Sequence, residues 1–228
     1  MTGIIAAMRV ELELIKSNLE NLQEETASGI TFYHGYYRGK EVVCAVSGMG
    51  KVSAAMCAAT MIIKYAPKAI INTGVAGALT SDLKQLDCTV AERCVQHDVD
   101  TSPLGDPLGF ISGINKIYFD SDKTVSEHLI ECYGEKKPKY CTIASGDVFV
   151  IDPAMKKRIT DLFGASVCDM ESASIAQVCY TANTPFAISR AMSDGADENA
   201  ALDFPAMSKA AADISSKAVL TYIEKYGE

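Results

Sequence analysis

The stretch SAAMCAATMIIKYAPKAIINTG, residues 53–74, decides the fold, because it joins an apolar helix rich in small residues to a buried strand. Its last segment, AIINTG, is a continuous run typical of a strand in a parallel or mixed sheet that helices cover on both faces. Further apolar runs predict strands of the same sheet: TGIIAA, LDCTVAERCVQHD, KYCTIASGDVFV and PFAISRAMSDG. The sequence therefore predicts the α/β class, with one domain over residues 1–228 and a mixed, twisted central sheet flanked by helices on both faces.

Helices and one hairpin complete the predicted order of elements. A helical stripe of apolar residues follows the first strand between Val10 and Leu19, and MESASIAQVCYTA predicts another helix. The segment ITFYHGYYRGKEVVCAVSG predicts a hairpin that turns at Arg38-Gly39. FPAMSKAAADISSKAVLTYIEKY predicts a long C-terminal helix that is capped by Asp203 and has Pro205 in its first turn.

Composition and charge exclude several classes of function. The formal net charge is −8 with a pI near 5.0, and basic residues cluster no further than pairs, so neither nucleic acid nor a membrane is expected as a partner. No apolar run approaches the roughly 18 residues of a membrane span. The 8 cysteines are scattered through apolar segments without a CxxC pair, so we expect reduced thiols and a cytoplasmic location.

Carboxylates are the reactive groups that remain. The sequence holds no HExxH, no Cys/His cluster with metal-ligand spacing and no GxSxG, so neither a metal, a cofactor nor a serine nucleophile is expected. Acidic residues instead lie at or near the ends of predicted strands: Glu11, Asp147, Asp169, Glu171 and Asp194. Each alone is explained by a helix cap or an ion pair, but several at one rim indicate a ligand site. Carboxylates without metal or histidine suit acid–base cleavage of a glycosidic bond.

Two glycine-rich segments are candidate binding loops. SGMGKVSAA places Gly48 and Gly50 before a helix, where backbone N–H groups suit an anion or a ribose, although a plain tight turn is the preferred interpretation. The segment HDVDTSPLGDPLGFISG, residues 97–113, is long enough to be a binding loop. The loop as a whole is a stronger candidate than His97, which opens it.

Six motifs, in order and spacing, resemble the nucleoside phosphorylase/nucleosidase superfamily. They are IIAAMRVEL, SGMGKVSAA, INTGVAGAL, SGDVFV, DMESASIAQVC and SRAMSDGAD. Within that superfamily the chain is similar to the 5'-methylthioadenosine/S-adenosylhomocysteine nucleosidases over almost its whole length. The pairing of DMESAS with RAMSD is the specific part of this resemblance, and the glycine turns are weaker.

The resemblance implies a role for each motif residue. Glu11 would activate water for attack at the anomeric carbon, and Asp194 would protonate adenine N7, with Ser193 orienting it. Asp194 should then have a raised pKa, while Glu11 should be ionised. The implied substrate contacts are Glu171 on the ribose hydroxyls, Met170 against the sugar, Phe149 stacked on adenine, the Val150 backbone at the purine edge, and Met8, Met49 and Phe204 around the ribose and alkylthio groups.

The resemblance also implies the partners. An adenine nucleoside would be the substrate, and the protein would be a homodimer in which the 97–113 loop completes the neighbouring site. Thr101 and Leu104 would then lie near the 5'-substituent of the substrate in the other protomer.

Three residues depart from the family's usual pattern, and alternatives to hydrolysis stay open. The departures are Val75 in the INTGVAGAL turn, Leu86 before the following strand, and Arg9 after the first strand. One alternative is a phosphate-dependent purine nucleoside phosphorylase, which would need arginines for phosphate, and the other is a non-catalytic nucleoside-binding or storage protein. The sequence does not rank methylthio, homocysteinyl, deoxy and futalosine-type 5'-substituents.

Overall fold

One ten-stranded mixed sheet organises the protein, and the computed structural model describes all 228 residues. The strands are β1 (Thr2–Ala6), β2 (Glu20–Ala27), β3 (Ile30–Tyr37), β4 (Lys40–Val46), β5 (Ala69–Ala78), β6 (Cys88–Gln96), β7 (Tyr118–Asp120), β8 (Lys139–Ser145), β9 (Val167–Asp169) and β10 (Phe186–Asp194). The helices are α1 (Arg9–Ser17), α2 (Lys51–Tyr65), α3 (Lys123–Glu131), α4 (Pro153–Phe163), α5 (Ser172–Thr181) and α6 (Ala200–Tyr226), and a short 3-10 helix spans Ser102–Leu104. None of these helices combines the length and the apolar character that crossing a membrane requires.

Strand β5 is the centre of the sheet, and all ten of its residues are buried. It pairs in parallel with β1 and β10 and antiparallel with β9. Strands β10, β6, β8 and β9 continue from β5 and return to it, so these five strands close into a ring. Beyond β1, the strands β4, β3 and β2 extend the sheet to an open edge. A strand that is buried on both faces has no solvent-exposed face, so AIINTG shows no alternation of apolar and polar residues.

Helices cover both faces of the sheet, as predicted. Adjacent residues of β5 separate the two cores: Ile70 belongs to the cluster that includes α2 and α5, and Ile71 to the cluster that includes α1, α3 and α6. Small residues such as Ala54 and Ala58 let α2 lie close against the sheet and α5. The α/β fold class and the hairpin at Arg38-Gly39 are confirmed.

The topology brings several strand ends to one edge. Strands β1, β4, β5 and β10 are mutually parallel neighbours, so the residues that follow β1 and those that end β10 meet beside the last third of β5. Strand β9 runs the opposite way and pairs Cys168 with Gly77 of β5. The segment VCDMESAS, residues 167–174, therefore reaches the same edge from the opposite direction. The site described below lies at this edge.

The predicted start of the C-terminal helix was wrong. Helix α6 begins at Ala200 after Asn199, so Asp203 lies inside its first turn and does not cap it. Pro205 is an interior residue of the helix and cannot donate a backbone hydrogen bond there. A proline normally marks a first turn, because that turn has free N–H groups. Here the helix begins one turn before the proline, and that turn carries no apolar stripe from which it could be predicted.

Strand β2 was not predicted. Its residues Glu20–Ala27 are exposed almost throughout, and the strand is held by antiparallel pairing with β3. A strand without a buried face shows no alternation of apolar and polar residues, so the sequence carries no signal for it. Its charged side chains also suit an edge strand, because they discourage pairing with another chain.

Truncating a β5 side chain should destabilise the fold. Replacing the fully buried Ile71 by alanine removes three side-chain carbon atoms from the core between the sheet and α1, α3 and α6. We expect Ile71→Ala to lower the free energy of unfolding by about 2–5 kcal/mol in denaturant titrations. The control Leu162→Ala, on the half-exposed face of α4, should change it by roughly 0.5 kcal/mol or less. Equal losses in the two variants would contradict the placement of β5 at the centre.

Candidate active site

A cavity of about 550 Å³ opens at the edge where β1, β5 and β10 end, and 11 of its 17 lining residues are hydrophobic. Ten of the residues singled out by sequence line it together: Met8, Glu11, Met49, Phe149, Val150, Met170, Glu171, Ser193, Asp194 and Phe204. These residues come from six separate segments of the chain. Such a mainly apolar cleft with a few convergent polar groups is the usual form of a small-molecule site.

Glu11 lies in the first turn of α1 and is 3% exposed. Its Oε2 accepts a hydrogen bond from the Met8 backbone N–H (2.8 Å), and its Oε1 accepts one from the Val75 N–H (2.8 Å). A Cβ at Gly74 would lie 2.8 Å from Glu11 Cδ, so the glycine makes room for the carboxyl group. Burial raises the pKa of Glu11, although the nearby Arg190 charge and the backbone donors act against it. The direction of this shift is opposite to that expected for a readily ionised Glu11.

Asp194 ends β10 and is buried in the wall of the cavity. The Ser193 hydroxyl donates to its Oδ2 (2.8 Å), and the Ala196 N–H donates to its Oδ1 (2.9 Å). Ala196 takes a left-handed backbone conformation (φ 47°), and its N–H bond to the carboxylate accompanies that turn. Burial raises the pKa of Asp194 against these two hydrogen bonds, and the charges of Asp197 and Asp203 act in the same direction as burial. The raised pKa expected for this residue is thus present.

Asp169, a lining residue of the cavity, forms an ion pair with Arg190, and both side chains are 2% exposed. Arg190 Nε donates to Asp169 Oδ2 (2.9 Å), and Arg190 Nη2 lies 2.8 Å from the same oxygen. The other carboxylate oxygen, Oδ1, accepts from the Ser145 hydroxyl (2.5 Å) and from the backbone of Ser172 (3.3 Å). Asn72 accepts a further Arg190 N–H (2.5 Å). Asp169 is therefore a supporting residue that orders the start of α5.

Glu171 follows Asp169 by two residues and immediately precedes α5. Its Oε1 accepts a hydrogen bond from the Gly50 backbone N–H (2.9 Å). Burial raises the pKa of Glu171 to about 7, the Asp169 charge adds to this, and Arg190 opposes it. Both acids of VCDMESAS, residues 167–174, line the cavity, but Asp169 is paired with Arg190 and Glu171 has no cationic partner in an ion pair.

Apolar side chains form the remaining walls. The rings of Phe149 and Phe204 meet edge to face with centroids 5.5 Å apart, and Phe149 stays half-exposed at the mouth. Val150 is buried behind it, while Met49 is exposed. An aromatic face of this kind suits stacking on a planar base.

The turn at Gly48 and Gly50 before α2 is a tight structural turn, which was the preferred interpretation of the sequence. The Gly50 N–H points to Glu171, and the Lys51 N–H donates to Asp147 Oδ1 (2.7 Å). Protein carboxylates therefore take the N–H groups that an anion would need. Asp147, which was grouped with the rim carboxylates, lies outside the cavity and caps this helix instead.

Thr101 and Leu104 do not line the cavity of their own chain. The Thr101 hydroxyl donates to Asp106 (2.8 Å), and Leu104 is 83% exposed. His97 is buried, and its Nε2 has no hydrogen-bond partner. No group of three or more His, Cys, Asp and Glu side chains stands close enough to hold a metal ion.

Sequence reasoning did not predict part of the lining. The cavity also contacts small or apolar residues: Ala7, Ala76, Gly77, Val148 and Cys168. Each is a neighbour in sequence of a predicted site residue or of a predicted strand end. Their chemistry carries no signal, so only their adjacency to Met8, Val75, Phe149 and Asp169 could have pointed to them.

Comparisons with known proteins identify relatives of the whole chain. The model of the phosphorylase superfamily matches residues 2–224. The aminodeoxyfutalosine nucleosidase of Campylobacter jejuni is 37% identical over 98% of both chains. The 5'-methylthioadenosine/S-adenosylhomocysteine nucleosidase of Shewanella piezotolerans is 37% identical over 89% of both chains. The structure of the corresponding Neisseria meningitidis nucleosidase in complex with methylthio-immucillin-A superposes with a TM-score of 0.94, at 34% identity and 98% coverage of both chains.

The raised pKa of Glu171 predicts a pH-dependent stability. Its pKa in the folded state, about 7, exceeds the ordinary 4.5, so its contribution is fully present below pH 4.5 and is lost as the pH rises through 7. Glutamine cannot ionise and escapes this loss. We therefore expect the free energy of unfolding of Glu171→Gln, relative to the unmodified protein, to increase between pH 4.5 and pH 8. Denaturant titrations at a series of pH values measure it, and a pH-independent difference would contradict the shift.

Proposed function

The chain belongs to the phosphorylase superfamily, and on that premise we propose that it is a nucleosidase that releases adenine from 5'-methylthioadenosine and S-adenosylhomocysteine. At the coarser level it is an N-glycosyl hydrolase of the group that contains methylthioadenosine and futalosine nucleosidases. Water is the second substrate, and the products are adenine and the 5'-thioribosyl sugar. No cofactor takes part in the proposed reaction.

Asp194 is the proposed general acid. Burial raises its pKa, which favours the protonated form that an acid needs, and the Ser193 hydroxyl donates to the carboxyl group and orients it. Transfer of this proton to adenine N7 lets the C1'–N9 electron pair leave with a neutral base. Positive charge then develops on the ribosyl ring, as in other glycosidic cleavages.

Glu11 is the proposed general base. Water adds to the anomeric carbon as the glycosidic bond breaks, and Glu11 takes the proton that the water loses. Burial raises the pKa of Glu11, but a ribosyl cation beside it would favour the carboxylate form. Its two backbone hydrogen bonds already hold both oxygens in place for this step.

The remaining lining residues would hold the nucleoside. Glu171 accepts the ribose 2'- and 3'-hydroxyls, and Met170 packs against the sugar. Adenine stacks on Phe149, and its edge bonds to the Val150 backbone. Met8, Met49 and Phe204 surround the ribose and the apolar thioether tail, for which flexible methionines are suited.

The observation that carries hydrolysis over phosphorolysis is that none of the five arginines lines the cavity. Arg190 is committed to Asp169, and Arg93 donates to Thr142 and stacks on Tyr118. Arg9, whose position suggested a phosphate contact, is exposed and faces a separate surface groove. A mere binding protein would need no buried acid and base in one cavity, so Glu11 and Asp194 together favour catalysis.

A futalosine-type nucleoside is the second candidate substrate. The C. jejuni relative named as an aminodeoxyfutalosine nucleosidase is as similar to this chain as the methylthioadenosine enzymes are. Both candidates share the bond that is cleaved and differ only at the 5'-substituent. A panel of both nucleosides in phosphate-free buffer separates them by their kcat/KM values.

Asp194→Asn should abolish most turnover while leaving binding intact. An amide cannot supply the N7 proton, so we expect the rate of adenine release from 5'-methylthioadenosine to fall by about 10²–10⁴-fold. Calorimetry should still detect the nucleoside. The control Asp120→Asn, at an exposed aspartate on β7, should keep full activity. Near-normal turnover in Asp194→Asn would remove it as the acid, and a strict need for added phosphate would replace hydrolysis by phosphorolysis.

We propose a reducing, cytoplasmic location, which the eight free cysteines favour.

We also propose that the protein is a homodimer. Two apolar residues on one face of α2, Val52 and Ile63, are 80% and 85% exposed. They lie within about 20° of each other around the helix axis, so they form one stripe with Met56 between them. Leu104 in the 97–113 loop is likewise exposed and does not serve its own cavity. A second copy of the chain would cover these side chains.

Ile63→Glu should separate the protomers and weaken substrate binding. Light scattering should give twice 24.4 kDa for the unmodified protein and 24.4 kDa for the variant, because a charge on the stripe opposes its burial. If Thr101 and Leu104 complete the neighbouring site, the separated protein should show a raised KM for 5'-methylthioadenosine. A fully active monomer would contradict both the dimer and the shared site.

A further inference from the structure

Lys51 stands in a closed ring of polar contacts next to the cavity but outside its lining. Its ammonium Nζ donates to Asp98 Oδ1 (2.6 Å), and the other Asp98 oxygen accepts the Asp147 backbone N–H (2.9 Å). Asp147 Oδ1 in turn accepts the backbone N–H of Lys51 (2.7 Å). The ring therefore ties together the start of α2, the loop after β6 and the loop after β8.

A fourth element joins through Gln96. Lys51 Nζ also donates to Gln96 Oε1 (3.1 Å), and the Gln96 amide N–H donates to Gln177 Oε1 (2.5 Å) on α5. Helix α5 begins directly after Glu171. The ammonium group of Lys51 is thus linked to α5 as well, through one intervening side chain.

The residues next to the ring line the cavity. Gly50, which precedes Lys51, donates its N–H to Glu171, and Met49 forms part of the wall. Val148 and Phe149, which follow Asp147, form another part. A displacement of the ring would therefore shift the hydrogen bond to Glu171 and the aromatic face of Phe149 at once.

The charges make the ring dependent on Lys51. The side chains of Lys51 and Asp98 are only 16% and 28% exposed, so solvent screens their attraction incompletely. Burial alone would raise the pKa of Asp98, yet the bonds from Lys51 and the Asp147 N–H lower it overall. Without the ammonium group, the carboxylate of Asp98 would have no cation beside it and Asp147 nearby, and like charges repel.

We propose that Lys51 is a positioning residue for nucleoside binding, acting through its ion pair with Asp98 on Glu171 and Phe149. The inference rests on the proposed function for those two residues. Because both would hold the substrate and the transition state alike, loss of the ion pair weakens binding more than it slows the chemical step.

Four variants test this with 5'-methylthioadenosine as the substrate. Lys51→Gln should raise KM about tenfold, equivalent to the loss of one partly buried contact, and should change kcat by less than about threefold. Lys51→Arg keeps the charge and should restore most of the lost affinity. Asp98→Asn, whose amide oxygen can still accept the Asp147 N–H, should also raise KM. The double variant Lys51→Gln/Asp98→Asn should be no worse than the poorer single variant, because the pair is already broken.

Lys64→Gln is the matched control, since Lys64 lies at the other end of α2 in a surface ion pair with Glu25 (2.5 Å). It should leave KM and kcat unchanged. A KM that stays normal in Lys51→Gln while only the melting temperature falls would overturn the proposal, and so would additive effects in the double variant. Calorimetric binding of the nucleoside reads the same weakening without turnover. If the unmodified protein releases no adenine but Lys51→Gln still binds the nucleoside more weakly than it does, the proposed hydrolysis is wrong and the positioning role of Lys51 stands.

Discussion

The buried ion pair of Asp169 and Arg190 is the interaction on which the site depends. Charges removed from water are tolerated only when they are paired and hydrogen-bonded, and here both carboxylate oxygens and the guanidinium group have partners. The pair joins β9 to β10 across the ring of strands and fixes the chain where α5 begins. It also places a permanent positive charge close enough to Glu11 and Glu171 to oppose the rise in their pKa values. Without that charge, the cavity would hold acidic groups with nothing to balance them.

The electrostatics of the cavity differ from a simple division into one acid and one base. Burial raises the pKa of Glu11, Glu171 and Asp194 together, so the fixed surroundings alone do not separate an acid from a base. A nucleoside whose ribosyl ring becomes cationic changes this balance, because positive charge favours the carboxylate form of its neighbours. The proposed roles of Glu11 and Asp194 would then be separated by the reacting substrate as well as by their fixed surroundings.

Periodicity and motif spacing predicted much of the molecule, for identifiable reasons. Buried strands such as AIINTG can be predicted because both of their faces must be apolar. Once β1 and β10 are predicted to be parallel strands, the residues that follow β1 and those that end β10 must lie at the same edge of the sheet. Strand β2 and the first turn of α6 were missed because neither buries an apolar face. Asp147 was grouped with the rim acids because it follows a strand, yet its carboxylate turned to the N–H groups of α2. A strand-end position limits where a side chain can be but does not say which way it points.

The sequence by itself determined the α/β class, the presence of paired carboxylates near strand ends, and the family resemblance carried by DMESAS and RAMSD. These follow from local patterns, because burial and chemistry repeat along the chain at short range. Tertiary structure alone decided that Asp169 pairs with Arg190, that Glu171 faces the cavity and accepts from Gly50, and that no arginine reaches the pocket. Those outcomes join residues that are up to 121 positions apart, and only the closure of the sheet brings them within hydrogen-bonding distance.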